Sequence, residues 1–271
     1  MMREHGEGAD AHTFDVIVVG GGVFGTAIAF FLAERRAGSI LLLESRNIAA
    51  GSTGWTSGIV RVHYTNPYEA RLASVGSLVF RNWAERVGGE CGFLRTGFLR
   101  IVGVADREKL LRNVEMLRSL RTDVTFLEPE EVLKLQPYLS VEGVGGAAYE
   151  PEGGYASGTD TARALAAAAA GRGVTVRQGV SVRGLRVNAD RILGVDTSDG
   201  FFAAGRVVVA AGAWSIALLR QAGVNLPLRT KLVRAGLLLH PAHMSGAGGP
   251  YMTVIDDSTG TYFRPDRTNR T

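Results

Sequence analysis

Four residues near the start of the chain have the types and spacing to do chemistry together. Gly20, Gly22 and Gly25 form G-x-G-x-x-G within "VIVVGGGVFGTAIAFFLAERRAGSILLLE", and Glu44 closes that stretch. Gly20 permits a tight turn, Gly22 lets the backbone approach a diphosphate, and Gly25 lets a helix pack closely on a strand. The helix N-terminus then faces the anion. An acid about 20 residues further on, at the end of the next strand, is placed to accept from ribose hydroxyls. The competing reading is a glycine turn with a surface glutamate. The strand before the motif and the helix after it favour a dinucleotide. NAD and FAD both use this fingerprint, and the motif alone leaves the choice open.

A second group follows the small-residue loop "GSTGWTSG", in "IVRVHY": Arg61, His63 and Tyr64. A guanidinium fork holds a carboxylate through two parallel bonds and stays charged at any working pH. A surface ion pair is the alternative for Arg61. Arg264, in "TYFRPD", is either another anion clamp or a salt bridge at a strand end. His63, His240 and His243 read as structural. No Cys/His/Asp spacing suggests a metal, so none is expected. There is no nucleophile-elbow or triad pattern.

The elements that must position these residues alternate in texture. "FDVIVVG" and "SILLLE" are apolar runs without alternation, as in strands covered on both faces, with a helix from Val23 between them. This is βαβ with a right-handed crossover. Tyr68 to Val87 reads as an amphipathic helix with Leu72, Val75, Val79, Trp83 and Val87 on one stripe. "FLRTGFLRIVG" reads as strands turning at Gly97, and "DREKLLRNVEMLRSLR" and "EPEEVLKLQPYL" as helices. "DTARALAAAAAGRG" is a further helix, ended near Gly171. "GRVVVAAGAW" reads as a doubly buried strand, and "KLVRAGLLLHP" through "GTYFRPD" as strands of an open sheet. Two interleaved domains account for this order. The first comprises residues 14–75 and 158–222, the second 76–157 and 223–271, after a disordered tail at 1–13.

With 271 residues, 46% hydrophobic and 21% charged, the chain is long enough to bury a core and ordinary in its balance. A net charge of +4 without a Lys/Arg block argues against nucleic acid as a partner; a basic site for an acidic ligand suffices. The single Cys91 excludes an internal disulfide framework and fits a reducing, cytoplasmic setting. The polar start lacks the apolar run of a signal peptide. "GFFAAGRVVVAAGAWSIALL" carries Arg206 in its middle and reads as strand and helix, so no membrane span is expected.

Taken in order, the glycine motif, "LLLE", "GSTGWTSGIVRVHY" and the late "VVVAAGAW" resemble the D-amino-acid-oxidase-like flavoproteins. Within them the chain looks most like the sarcosine oxidase, dimethylglycine dehydrogenase and glycine oxidase branch. The resemblance runs over nearly all of Phe14 to Asp266. It implies FAD and an α/β architecture: a Rossmann-like FAD-binding domain interleaved with an α+β substrate domain on a mixed sheet. Carried over by position, Gly20, Gly22 and Gly25 hold the diphosphate, and Glu44, with Ser45 and Arg46 after it, the ribose. Ser52, Thr53, Ser57 and Gly58 run beside the flavin, unless the loop's hydroxyls bond within the loop itself. Val182 meets adenine through its backbone. Ala211, Gly212 and Trp214 pass over the cofactor, although Trp214 also suits ordinary core. Arg61 pairs with a substrate carboxylate and Tyr64 lines the pocket, with Arg264 as the second clamp.

The implied reaction is oxidation of the C–N bond of a small secondary or tertiary amino acid, with hydride transfer to flavin. The candidates are sarcosine, dimethylglycine or a proline-like substrate, and oxygen or an electron carrier takes the electrons. A hydroxy acid or glycerol phosphate is the alternative substrate, and a non-catalytic flavin-binding subunit the alternative role. Relatives of this kind continue past "RPDRTNRT". That makes the second domain incomplete, by a fragment, by a second chain that supplies the remainder, or by lost activity.

Overall fold

The computed structural model describes residues 13–239 and 251–265. His240 and His243 therefore lie outside the described residues. The chain divides into two units that alternate along the sequence. One holds residues 13–56, 87–89 and 158–232; the other holds 57–86, 90–157, 233–239 and 251–265.

The first unit is built on a four-stranded parallel sheet in the order Val207–Val209, Val16–Val19, Ile40–Glu44, Thr175–Gln178. The two inner strands are buried through Val16–Val19 and Ile40–Leu43, which is why they read as continuous apolar runs. Val207–Val209 is an edge strand and only half-buried, so the double burial expected of it is not found. Helices Val23–Glu34 and Gly158–Ala170 pack against each other. Ala162, Ala166 and Ala169 lie buried in that second helix, where side chains without bulk allow close approach. A second sheet, Thr13–Phe14, Gly200–Ala204, Arg191–Thr197, Val182–Asn188, shares its core with the first through Phe202, Val195 and Leu43.

The second unit is built on a mixed five-stranded sheet, Thr261–Phe263, Thr253–Asp256, Phe98–Gly103, Val144–Glu150, Thr125–Leu127. Only Thr253–Asp256 and Phe98–Gly103 run parallel. Helix Arg107–Ser119 covers one face through Leu110, Val114 and Leu117. Helix Pro129–Leu135 starts from a capping box in which Glu128 and Glu131 satisfy each other's backbone N–H.

Two expectations are corrected here. The helix after the small-residue loop runs Pro67–Arg81 and stops at Asn82; Trp83–Arg86 is a separate turn. Leu72 and Val75 stand exposed on it, while Ala70 and Ser77 are buried. Ala70 joins the cluster of Leu110, Val114 and Leu117, so the small side of this helix, not the large, meets its neighbour. Residues 231–238, expected as a strand, have no regular structure and are exposed.

Candidate functional site

In the first unit the strand Val16–Val19 ends in Gly20, whose φ of +112° lies where side chains are strained. A Cβ there would stand 2.5 Å from the Ala210 carbonyl oxygen. Helix Val23–Glu34 then begins at Gly22 as its N-cap. A Cβ on Gly25 would stand 1.8 Å from the Gly20 carbonyl oxygen, so only glycine lets the helix sit on the turn. Gly21 is fixed at both ends. Its N–H donates to Glu44 Oε2 at 2.7 Å and its carbonyl accepts from Ala49 at 2.9 Å.

Glu44 thus holds the turn as well as facing the space beside it. Its Oε1 accepts from the Arg46 N–H at 2.9 Å and the Ser45 hydroxyl at 3.2 Å. Two carboxylate oxygens offer about four acceptor positions, so these bonds leave room for a ligand hydroxyl. Thr53, in the turn Ser52–Trp55, accepts from the Val23 N–H at 3.0 Å and so caps the helix from across the loop.

Gly20, Gly22, Glu44, Ser45, Arg46, Ser52, Thr53, Val182, Ala211, Gly212 and Trp214 all line one cavity of about 930 Å³ in this unit. Gly25 stands behind the turn and does not line it. Trp214 is 62% exposed, so the core alternative for this residue fails. Phe24, Arg183 and Gln221 also line the cavity, and sequence reasoning missed them. The cavity falls toward the upper end of the ~300–1,000 Å³ usual for small-molecule sites. Apolar walls from Val19, Leu43, Val180 and Leu218, an acid with spare acceptor capacity, and a turn whose backbone is bare suit an extended dinucleotide. The residues present therefore fit FAD. Gly20, Gly22 and the first turn of the helix would hold its diphosphate, and Glu44 its ribose.

Ser57 and Gly58 belong to the second unit. A Cβ on Gly58, at φ +68°, would stand 2.0 Å from the Ala156 carbonyl oxygen. The Gly58 carbonyl accepts from the Ala156 N–H at 2.8 Å, next to the short ladder of Ile59–Val60 with Gly154–Tyr155. That ladder delivers Arg61. Its Nη1 donates to the His63 carbonyl, and its guanidinium stacks 4.2 Å from the centre of the Tyr64 ring and 5.7 Å from that of Phe98. Arg61 is half-buried, and burial lowers its pKa, with Tyr64, Glu150 and Asp257 opposing and Arg100 adding to the shift. No carboxylate lies within 4.0 Å of it among the described residues; Arg100 instead takes Asp257, at 2.7 Å.

His63 is buried, with Nε2 2.8 Å from Asn113 Nδ2. Burial, reinforced by Arg100 and Arg61, depresses its pKa to about 3, so it is neutral at working pH. Glu150, 2% exposed, accepts the Val62 N–H through Oε2 at 2.7 Å. Burial raises its pKa to about 7 against the pull of the Val62 and His63 backbones and of Arg61. Nothing in the sequence marks Glu150 except an acid at the end of the small apolar run "VGGAAY". Arg264 lies over the Tyr155 ring at 4.1 Å. It donates through Nε to the Ser57 carbonyl at 2.5 Å and through Nη1 to that of Pro265 at 2.9 Å.

Among the described residues no helix is long and apolar enough to cross a membrane.

Known proteins similar to this chain include the following three. The mitochondrial pyruvate dehydrogenase phosphatase regulatory subunit of Mus musculus is 30% identical over 229 residues, 81% of this chain and 26% of that protein. Glycine oxidase of Geobacillus kaustophilus is 28% identical over 267 residues, 96% of this chain and 69% of that protein. Its crystal structure superposes with a TM-score of 0.76 at 27% identity, over 96% of this chain and 70% of that one. Human mitochondrial sarcosine dehydrogenase is 31% identical over 223 residues, 80% of this chain and 24% of that protein. The chain thus spans about a quarter of two of these relatives. The family model described as FAD dependent oxidoreductase matches residues 15–271. The chain therefore belongs to the DAO family of FAD dependent oxidoreductases, whose cofactor is FAD.

Proposed function

We propose that the protein oxidises the C–N bond of a small amino acid bearing a secondary or tertiary amine. The first unit serves as the FAD-binding domain and the second supplies the cation that takes the substrate's carboxylate. The observation that carries this reading is Arg61: half-buried, stacked on Tyr64, and without a carboxylate partner among the described residues. A desolvated guanidinium without a counter-ion favours an anionic ligand, and its planar fork matches a carboxylate. The resemblance to glycine oxidase and sarcosine dehydrogenase supports an amino acid as that anion.

When bound, FAD accepts the two electrons and the hydrogen that leave the substrate. The chain's own part is to bind and orient. Arg61 fixes one end of the substrate, and Tyr64 holds the guanidinium flat through cation–π contact. Fixing that end restricts the reacting carbon to few poses, which is a large part of the rate gain available to such an enzyme. His63, held neutral, adds no competing positive charge beside Arg61. Arg264 anchors the 57–58 segment through its bond to the Ser57 carbonyl.

The test is the colour of the purified protein and what bleaches it under anaerobic conditions. Bleaching by sarcosine, dimethylglycine or proline, and not by hydroxy acids or glycerol phosphate, is expected. Bleaching by hydroxy acids alone overturns the substrate class.

A second reading is a flavin-binding subunit that catalyses nothing by itself and works with another chain. The likeness to a phosphatase regulatory subunit favours it. Yellow protein that no amine or hydroxy acid bleaches, co-purifying with a second chain, would establish it.

A further inference from the structure

We infer that Glu150 is the positioning residue of Arg61: its buried carboxyl holds the backbone on which Arg61 stands, and its charge state sets how strongly Arg61 takes a carboxylate. The inference rests on the reading of Arg61 as a carboxylate clamp.

The holding part follows from the ladder. Ile59 pairs with Tyr155 and Val60 with Gly154, and there the two-stranded pairing ends. The half-buried Val62 lies two residues past the end of that pairing, where its N–H needs another acceptor. Glu150 Oε2 takes that N–H at 2.7 Å. Arg61 therefore stands between a backbone pair on one side and a side-chain acceptor on the other. Glu150 is in turn fixed by the sheet, where it faces Phe98, the second ring beneath the Arg61 guanidinium. Removing the acceptor leaves the Val62 N–H unpaired and the Arg61 backbone held at one end only.

The charge part follows from burial. Glu150 Oε1 receives no well-aligned hydrogen bond among the described residues, although the side chain is almost wholly buried. A carboxylate so placed is poorly solvated, and burial moves its ionisation into the neutral range. Arg61 is the charged side chain acting on Glu150, whose other close neighbours are the Val62 and His63 backbones; Tyr64, Arg100 and Asp257 act on Arg61 in turn, and Arg100 on His63. His63 is neutral and Arg100 is paired with Asp257, which leaves Arg61 as the cation that responds. While Glu150 is protonated, the Arg61 charge is available to a ligand. Once ionised, Glu150 competes for it, and ligand carboxylates bind more weakly.

Calorimetric titration of the FAD-loaded protein with acetate, ionised throughout from about pH 6 to 8.5, tests this without relying on turnover. In the wild type the dissociation constant should rise on the order of 10-fold across that range, as one group titrates. Glu150→Gln, which keeps an acceptor for Val62 and the side-chain volume, should hold the low-pH affinity at every pH. Glu150→Met, which fills the space without an acceptor, should bind weakly throughout. Arg61→Ala should not bind acetate at any pH.

If Glu150→Gln keeps the wild-type step, or Glu150→Met binds as the wild type does at low pH, the role of Glu150 is overturned while the Arg61 reading stands. If Arg61→Ala binds acetate normally, the Arg61 reading itself falls. Circular dichroism shows whether each variant is folded. Should Glu150→Gln not fold, a wild type without any step still overturns the inference.

Discussion

Under the proposed function the turn at Gly20–Gly25 and the cluster around Arg61 both take an anion, by opposite means. The turn uses backbone alone. Its selectivity comes from what is missing, since a Cβ at Gly20 or Gly25 would collide with a carbonyl, and the acid beside it is held in place by neighbouring N–H groups. The Arg61 cluster uses side chains with charge that are desolvated and incompletely paired, and its groups are moved far from their ordinary ionisation. A backbone cradle presents the same donors at every pH. A buried charge cluster is adjustable, and it costs stability. The first design suits a cofactor that stays; the second suits a substrate that comes and goes.

The largest effect expected from breaking that contrast is at the turn. Gly25→Ala places a methyl 1.8 Å from a backbone oxygen that has no freedom to yield, so helix and turn must separate. Flavin content of the purified variant should fall to near zero, with reduced thermal stability. Normal flavin content would show that the turn tolerates displacement and that the backbone-cradle view is wrong.

On the other side of the comparison, Arg61→Ala should raise KM for a carboxylate substrate on the order of 100-fold, with flavin content unchanged. Arg61→Lys keeps the charge and loses the fork and the stacking, and should recover only part of that loss. Steady-state kinetics separate the three proteins. Equal KM values would remove Arg61 from the substrate's contacts.

The next effect concerns stability and pH. Glu150 has its pKa raised from 4.5 to about 7, so the native state holds this proton more tightly than the unfolded chain does. Below about pH 4.5 both states are protonated and there is no penalty. Stability falls as pH rises toward 7 and stays reduced above it, by about 3 kcal/mol at most. Glu150→Gln should therefore be more stable than the wild type at pH 8, with the gap closing toward pH 4. His63 acts in the opposite sense, costing stability as pH falls from 6.5 toward 3. It contributes equally to both proteins, so their difference at each pH isolates Glu150. Denaturant melts across that range check the slope.

The same contrast explains what could be read from the sequence. The glycine turn at Gly20, Gly22 and Gly25 and the place of Glu44 at the end of the next strand were legible because spacing encodes backbone geometry and strand order. The buried strands Val16–Val19 and Ile40–Leu43 were legible for the same reason. Glu150 was not: an acid ending a strand reads as an edge residue, and only the fold brings it under Val62, 88 positions away in sequence. The orientation of helix Pro67–Arg81 was misread because hydrophobic bulk favours Leu72 and Val75, whereas the packed cluster takes the small Ala70 and Ser77 is buried with it on the helix. The sequence could place a cation at Arg61 but not show that no carboxylate among the described residues comes within 4.0 Å of it.

The smallest effect sharpens the comparison within the first unit. Thr53 reaches across from the turn Ser52–Trp55 to cap the helix at Val23, so one hydroxyl ties the loop to the glycine turn. Loss of an N-cap hydroxyl costs about 1 kcal/mol. Thr53→Ala should lose that much and bind FAD slightly more weakly, because the helix N-terminus and the loop are no longer tied. Thr53→Ser, which restores the acceptor without the methyl, should recover most of both. Weaker FAD binding with unchanged stability in Thr53→Ala would instead mean that the hydroxyl serves the ligand directly, and that this loop, unlike the turn beside it, works through side chains.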